Sequence, residues 1–210
     1  MQRKKIFCFG DSNTWGCNAS DGSRFDEVTR WPKVLETVPG GNFIIIEEGL
    51  NGRTLLDLNP YDRNGGGVSS IESAVSPHIP IDIAIIALGM NDVFDPSDPS
   101  LPAIAEGMKI VINKIRAIHA EFSLPEPEII IMGPPEINRN FDGARFFELR
   151  INKMEALGPL YKKIAERESA HFFDASQFIK TSGIDCSHID GESHRILGRR
   201  IAEFITEMLR

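Results

Sequence analysis

Three side chains of the sequence have the types that nucleophilic catalysis needs. Ser12 follows a short apolar run and Gly10, and a serine hydroxyl becomes an effective nucleophile only beside a general base. His188 could be that base, because Asp185 precedes it by three residues. One turn of chain can then place the carboxylate against Nδ1 and leave Nε2 for the serine. Taken alone, Ser12 is better explained as a helix N-cap and Asp185 as a turn or cap residue. The Asp185–His188 pair favours the catalytic interpretation.

The other histidines fit this role less well. Of the five histidines in the sequence, only His188 has an acidic residue at this spacing in a predicted strand-end loop. We expect His194 on the surface of the last helix and His171 at the start of a strand. Asp190 could also hold the imidazole of His188, but its position predicts the N-cap of the last helix.

Two further positions could supply hydrogen-bond donors to a developing oxyanion. The side-chain amide of Asn91, which follows an apolar run, could point at such an oxygen. The backbone N–H of Gly52 could point at the same place. The alternatives are a turn residue with positive φ at Asn91 and a simple tight turn at Gly52. Neither position is a strong signal on its own.

These residues must be positioned by the elements around them. Five short apolar runs recur, and most are continuous and β-branched, as in strands buried on both faces of a parallel sheet. The runs are Ile6–Phe9, Phe43–Ile46, Ile81–Leu88, Ile129–Met132 and His171–Phe173. Helical patterns lie between them, at Arg30–Thr37, Val68–Val75, Leu101–Phe122, Phe146–Ser169 and about Gly191 to Leu209. The alternation predicts an α/β fold, a three-layer α/β/α sandwich with right-handed crossovers.

The predicted topology brings the candidate residues together. In a parallel sheet, ligands bind at the carboxyl ends of the strands. Four segments that follow predicted strands carry polar or reactive side chains, namely 10–13, 49–52, 89–92 and 185–188. We therefore expect one site at this edge of the sheet, built from four separate loops.

Composition limits the classes of function. The 210 residues are 41% hydrophobic and 25% charged with a net charge of −7, which indicates a single soluble domain over 1–210 and no footprint for nucleic acid or an anionic membrane. The sparse set of Cys8, Cys17 and Cys186 argues against a disulfide framework and a four-cysteine zinc site. We expect no targeting segment and no membrane span, which favours a reducing cytoplasm.

The motifs of several other classes of function are missing from the sequence. A phosphate-binding module on a similar fold would carry G-x-x-x-x-G-K-[ST] or G-x-G-x-x-G after the first strand, and the sequence has neither there. The nearest metal-ligating cluster, Cys186, His188 and His194, matches no common zinc spacing. The elbow G-x-S-x-G is also missing at Ser12. These comparisons favour a serine enzyme that needs no cofactor or metal.

Four blocks of the sequence resemble the SGNH hydrolases, also called the GDSL esterase/lipase family. They are Gly10-Asp11-Ser12, Gly52, Gly89-x-Asn91-Asp92 and Asp185-x-x-His188, in the family's order and spanning nearly the whole chain. The resemblance implies a flavodoxin-like parallel sheet of five strands. It also implies Ser12, His188 and Asp185 as catalytic residues and an oxyanion hole from Ser12 N–H, Gly52 N–H and Asn91.

The finer pattern looks closest to bacterial arylesterase-type members that also transfer acyl groups. The segments 9–16, Arg30-Trp31, 47–50 and Arg53-Thr54 carry this likeness. It implies a short-chain aryl or alkyl ester as small-molecule substrate and a homo-oligomer, with carbohydrate O-deacetylation as the alternative. Two features depart from the family: Asn13 stands where leucine is usual, and position 52 varies in this subgroup, so its role rests on a backbone group.

Several neighbouring residues receive supporting roles. We expect Asp11 and Asp92 to accept backbone N–H groups that fix their loops. Trp15 and Phe94 are candidates for the substrate pocket, with core packing as the alternative, which we prefer for Trp31. The long loops Asp57–Gly67 and Asn138–Arg145 could wall the cleft or contact a second subunit, with disorder as the alternative.

Overall fold

The computed structural model describes residues 3–38, 42–59, 66–141 and 147–210. Within these residues the strands form one parallel sheet in the order β2-β1-β3-β4-β5. The strands are β1 (Lys4–Gly10), β2 (Phe43–Gly49), β3 (Ile83–Ala87), β4 (Glu128–Gly133) and β5 (His171–Asp174). The predicted five-stranded, flavodoxin-like parallel sheet is confirmed.

Eight α-helices connect and flank the strands in the described part of the chain. They are α1 (Ser12–Trp15), α2 (Trp31–Thr37), α3 (Gly67–Val75), α4 (Met90–Phe94), α5 (Leu101–Glu121), α6 (Glu148–Glu155), α7 (Leu157–Arg167) and α8 (Gly191–Met208). The short helices α1 and α4, which the apolar patterns do not reveal, begin directly after β1 and β3. Both lie at the edge where the site was expected.

Alternate residues of the central strands face opposite helical layers. On β1, Phe7 and Phe9 belong to the core beneath α3, α5 and α7, whereas Ile6 and Cys8 belong to the core beneath α2 and α8. All four side chains are fully buried. Because both faces are covered, the strand must be apolar at every position, which explains the continuous runs of the sequence.

The strand register aligns the loops that carry the candidate residues. Gly10 at the end of β1 pairs with Gly49 at the end of β2 and with Ala87 at the end of β3. Three strands therefore end at the same level of the sheet. The segments that follow them leave side by side, so residues far apart in sequence can meet.

One predicted helix is two helices in the structure. The pattern at Phe146–Ser169 predicted a continuous helix, but α6 ends at Glu155 and α7 begins at Leu157. Pro159 explains the interruption, because it has no N–H for the carbonyl of Glu155 and its ring crowds that carbonyl. The helical segment stops before the predicted end, where Ser169 takes a positive φ of 50°. Phe146 lies outside the described residues.

The prediction that His194 lies on the surface is wrong. Its side chain is fully buried between α8 and α2, where the backbone N–H of Trp31 donates to Nδ1 at 3.4 Å and the Phe25 ring packs edge-on. Burial lowers the pKa of His194 to about 3. The residue shares a helical face with the buried Leu197 and Ile201, a pattern that the sequence contained but polarity obscured. Trp31 is buried, as expected.

Other predictions have simpler outcomes. Strand β3 is shorter than the apolar run Ile81–Leu88, and Asp190 caps α8 by accepting from the N–H of Ser193 at 2.7 Å. The loops Asp57–Gly67 and Asn138–Arg145 lie partly outside the described residues. No helix among the described residues is long and apolar enough to cross a membrane.

Candidate active site

The turn from β1 into α1 carries Ser12 at the first position of a helix. The Asp11 carboxylate caps this helix by accepting from the N–H of Asn13 at 2.9 Å, so the role expected for Asp11 is confirmed. The N–H of Ser12 is one of those that a helix start leaves without an intrahelical acceptor. Ser12 is 8% exposed. Its hydroxyl therefore lies beside a donor that could face a substrate oxygen.

The helix α1 lies directly against the end of β2. A Cβ built on Gly49 would come within 2.1 Å of the backbone nitrogen of Trp15. A contact below 3.0 Å with backbone cannot be relieved by a side-chain movement, so only glycine allows this approach. The position of Ser12 therefore depends on a glycine of the neighbouring strand.

A buried ion pair supports the residues that follow α1. The Arg30 guanidinium makes two hydrogen bonds to the Glu47 carboxylate, at 2.9 and 3.0 Å, and donates to the carbonyl of Phe25 at 2.8 Å. Its side chain packs against Gly16, where a Cβ would approach Arg30 Cδ to 2.5 Å. Both charged residues lie in segments that carry the family resemblance, but only the structure shows their pairing.

Asp11 is held in an unfavourable environment for a charge. Burial raises the pKa of Asp11 to about 6, although the hydrogen bond from Asn13 and the electrostatic interaction with His188 lower it. The neighbouring Asp92 carboxylate adds to the increase. The folded protein therefore retains a proton on Asp11 in a range where the unfolded chain, at the ordinary value of 3.8, has lost it.

This proton gives a testable dependence of stability on pH. Between about pH 4 and pH 6 the native state binds more protons at Asp11 than the unfolded state does, so stability falls as pH rises through this window. We expect the free energy of unfolding of the wild type, relative to Asp11→Asn, to fall by about 2 kcal/mol between pH 4 and pH 7. Urea unfolding of both proteins at each pH measures this difference. A difference that stays constant with pH would contradict the expectation.

The segment before α8 brings Asp185 and His188 to Ser12. His188 Nδ1 lies 2.8 Å from Asp185 Oδ2, and His188 Nε2 lies 3.0 Å from Ser12 Oγ. A carboxylate only accepts, so the proton is on Nδ1, and Nε2 accepts from the serine hydroxyl. The three residues predicted from the sequence therefore form one continuous chain of hydrogen bonds.

The Asp185 carboxylate is fixed by its own loop. Its Oδ1 accepts from the N–H of Ser187 at 2.9 Å and from the N–H of His188 at 2.7 Å. Partial burial raises the pKa of Asp185, but the backbone and side-chain hydrogen bonds of His188 and the bond from Ser187 outweigh burial and keep the pKa below its usual value. The group is therefore ionised at neutral pH and can stabilise a positive charge on the imidazole.

Gly52 and Asn91 belong to two segments that are bound to each other. Gly52 adopts a φ of 77° in an exposed turn, a conformation that favours glycine. Among the described residues its N–H has no hydrogen-bond acceptor. Asn91 Nδ2 donates to the carbonyl of Arg53, the next residue along, at 2.9 Å. An amide NH₂ carries two hydrogens, so a second one remains for another acceptor.

The structure corrects one alternative for Asn91 and confirms the role expected for Asp92. Asn91 lies in α4, and the positive φ of 112° belongs to Gly89 instead. Asp92 is fully buried and its carboxylate accepts from the N–H groups of Leu55 and Leu56 at 2.6 and 2.9 Å. Burial raises the pKa of Asp92, and the hydrogen bonds from Leu55 and Leu56, which lower it, offset only part of this increase. Helix α4 thus holds the Gly52 segment through two consecutive side chains.

Sequence reasoning did not assign a role to Arg53. Its guanidinium donates to the carbonyls of Gly10 and Glu48 at 3.1 and 2.5 Å and lies 4.4 Å from the centre of the Phe9 ring. These contacts join the ends of β1 and β2 beneath the Gly52 turn. The signal available in the sequence was its place in the Arg53-Thr54 segment.

The proposed pocket aromatics have other neighbours. Trp15 is half-buried with the Arg24 guanidinium 5.4 Å from its ring centre, and Phe94 packs edge-on against Phe147 at 6.1 Å. Neither ring lines the small apolar cavity of about 30 Å³ beside the site, whose walls include Asp11, Asn13, Leu88, Met90, Pro134 and Ile189. A role of Trp15 and Phe94 in substrate binding stays a prediction.

The described residues contain no cluster of metal-ligating side chains. Within 3–38, 42–59, 66–141 and 147–210, no group of three or more histidine, cysteine, aspartate or glutamate side chains is placed to hold a metal ion. The arrangement at Ser12 instead provides a hydroxyl, a base and an orienting carboxylate. These are the groups needed to transfer an acyl group through a covalent intermediate.

Comparison with known proteins agrees with this site. Residues 8–193 match the GDSL-like Lipase/Acylhydrolase family, so the chain belongs to this family of SGNH hydrolases. The aryl esterase of M. smegmatis is 33% identical, with a TM-score of 0.87, and the match covers 97% of this chain and 99% of that one. A carbohydrate acetylesterase of Sinorhizobium meliloti is 30% identical, with a TM-score of 0.87 and coverage of 98% and 100%. A search of curated proteins found no match.

Family and structure together define the chain as an ester hydrolase of the GDSL type. The sequence match extends over both ends of the site, since it includes Ser12 and His188. The two structural relatives differ in the substrates that their names state, an aryl ester in one and an acetylated carbohydrate in the other. The family therefore gives the class of reaction, ester hydrolysis, whereas the two names state different substrates.

Proposed function

We propose that the protein is a serine esterase that hydrolyses short-chain carboxylic esters of aryl or simple alcohols, with transfer of the acyl group to other alcohols as an accompanying reaction. The observation that carries this proposal is the hydrogen-bond chain from Asp185 through His188 to Ser12. It supplies a nucleophile with a base at 3.0 Å and a carboxylate that orients the base.

The reaction has two halves. Ser12 Oγ attacks the ester carbonyl while its proton moves to His188 Nε2, and Asp185 stabilises the resulting imidazolium. The tetrahedral oxyanion accepts from the N–H of Ser12, the N–H of Gly52 and the side chain of Asn91. His188 then protonates the leaving alkoxide, which departs as the alcohol. Water, or a second alcohol, attacks the acyl-enzyme by the reverse sequence of proton transfers and regenerates Ser12.

The names of the two relatives support a small acyl group. One protein is named an aryl esterase and the other a carbohydrate acetylesterase, and the second name states an acetyl group. Carbohydrate O-deacetylation is therefore the second candidate function.

A panel of esters tests this proposal and separates the two candidates. We expect kcat/KM for an aryl acetate to exceed that for the matching octanoate and palmitate by more than about 100-fold, because methylenes without a pocket lose binding energy in the transition state. Acetylated sugars, assayed in the same panel, decide the leaving group. Faster turnover of the long-chain esters would contradict the proposed acyl preference, and faster turnover of acetylated sugars would favour deacetylation.

The homo-oligomeric state, the single domain over 1–210 and the cytoplasmic location stay predictions. The substrate proposal does not depend on any of them.

A further inference from the structure

Asn13 connects the segment of the nucleophile to the segment of the base. It follows Ser12 on α1, and its side chain reaches the backbone on both sides of His188. Nδ2 donates to the carbonyl of Ser187 at 2.8 Å, and Oδ1 accepts from the N–H of Ile189 at 3.0 Å. A carbonyl can only accept and an N–H can only donate. The orientation of the Asn13 amide is therefore determined by its two partners.

Residues 181–190, here called the base segment, have few other connections to the nucleophile. They contain no helix or strand. Among the described residues, the Asp185 carboxylate makes its hydrogen bonds within its own loop, and the carbonyl of His188 accepts from the N–H of Ser182, also nearby in sequence. In the described part of the chain, the hydrogen bonds that join this segment to α1 are those of Asn13 and the Ser12–His188 bond itself.

The main chain of Asn13 is also held in place. Its N–H donates to the Asp11 carboxylate at 2.9 Å, so the residue from which the side chain extends is part of the capped start of α1. Ser12 and the amide that binds the backbone on both sides of His188 therefore belong to the same helical turn. A shift of the base segment would have to break two hydrogen bonds to a helix that also carries the reacting hydroxyl.

We propose that Asn13 is a positioning residue that holds His188 Nε2 within hydrogen-bond distance of Ser12 Oγ, an inference that rests on the proposed catalytic roles of these two residues. Proton transfer requires a heavy-atom distance of about 2.6–3.2 Å. A misplacement of about 1 Å can lower the rate about 100-fold. Two hydrogen bonds that flank the imidazole restrict that displacement in both directions along the chain.

Two substitutions of similar size test the proposal. Asn13→Leu removes both hydrogen bonds. Asn13→Asp keeps an acceptor for the N–H of Ile189 but puts a carboxylate oxygen, which cannot donate, against the carbonyl of Ser187. We expect kcat of Asn13→Leu to fall about 100-fold with little change in KM. The rate of inactivation by a small organophosphonate should fall by a similar factor, because that reaction also needs the serine proton to reach His188.

Arg116→Met is the matched control. This substitution removes a hydrogen bond from the guanidinium to the carbonyl of Glu168 at 2.7 Å and an ion pair with Glu126 at 2.6 Å. The hydrogen bond also joins two elements through one side chain. Arg116 lies in α5, and Glu168 follows the last residue of α7, near the start of β5. Both residues are away from the carboxyl ends of the strands. We expect a lower melting temperature in this variant with unchanged kcat and inactivation rate. A merely structural role of Asn13 would make its variants behave in the same way.

The outcomes separate the proposal from the function on which it rests. Wild-type kcat in folded Asn13→Leu overturns the positioning role. If that variant does not fold, Asn13→Asp decides by the same two rates. Wild-type activity in Ser12→Ala would instead overturn the proposed function. An inactive Ser12→Ala together with a fully active Asn13→Leu would leave the function intact and remove only the role of Asn13.

Discussion

Ser12→Ala is expected to lower kcat by about 10⁶-fold while the protein folds normally. Loss of the nucleophile alone has an effect of this size in a serine hydrolase of unrelated fold. The reason lies in the geometry at this site. Among the described residues, the hydroxyl that hydrogen-bonds to His188 Nε2 is that of Ser12, at 3.0 Å, so its removal leaves the base without a hydroxyl to activate. Steady-state turnover of an aryl acetate with active-site titration measures the change.

Covalent labelling locates the nucleophile independently of turnover. After treatment with an organophosphonate, the intact mass of the wild type should rise by one adduct, and peptide mapping should place it on Ser12. Cys186→Ser is the control, because this thiol is in the base segment and burial raises its pKa, which keeps it protonated. The control should label like the wild type. An adduct on Cys186, or no adduct, would contradict the assignment of Ser12.

Asn91→Ala should lower kcat by about 10²–10³-fold, or about 2.7–4 kcal/mol, with little change in KM. The carbonyl oxygen gains charge as it becomes tetrahedral, so a donor aimed at it stabilises the transition state more than the ground state. Asn91 Nδ2 already donates to the carbonyl of Arg53 at 2.9 Å, which holds the amide in place. Kinetics per titrated site, with the melting temperature, measure both effects.

A second substitution tests whether Asn91 acts as an oxyanion donor or only holds its segment in place. Asn91→Asp keeps the size of the side chain but removes the NH₂ group, so both variants should lose turnover if the donor matters. A purely structural role predicts a lower melting temperature with normal kcat in the molecules that remain folded. Full kcat per titrated site in Asn91→Ala would leave Ser12 and Gly52 as the remaining oxyanion donors.

The sheet could be predicted from local patterns because burial on both faces leaves a simple signature. Runs such as Ile129–Met132 are apolar at every position, and the structure places them between two helical layers. Helix α1, only four residues long, leaves no such periodicity. The interruption near Ala156 depends on Pro159, whose effect a periodic apolar pattern does not register.

The candidate site divides in the same way. Asp185 and His188 are close in sequence, so their pairing could be inferred from one turn of chain. The contacts of Asn13 with the backbone beside His188 join residues more than 170 positions apart. Such contacts depend on how loops meet in the folded chain. The prediction for His194 is wrong for a related reason, because a polar side chain on an apolar helical face can be buried with a partner.

The separation between Ser12 and His188 also has a consequence for how the enzyme is made. The two residues are 176 positions apart, so a ribosome adding about 5–20 residues per second synthesises Ser12 roughly 10–35 s before His188. During that interval the nascent chain carries a nucleophile without its base. Esterase activity can appear only after both segments have joined the completed sheet. Each newly made molecule is therefore inactive as an esterase until its folding is nearly finished.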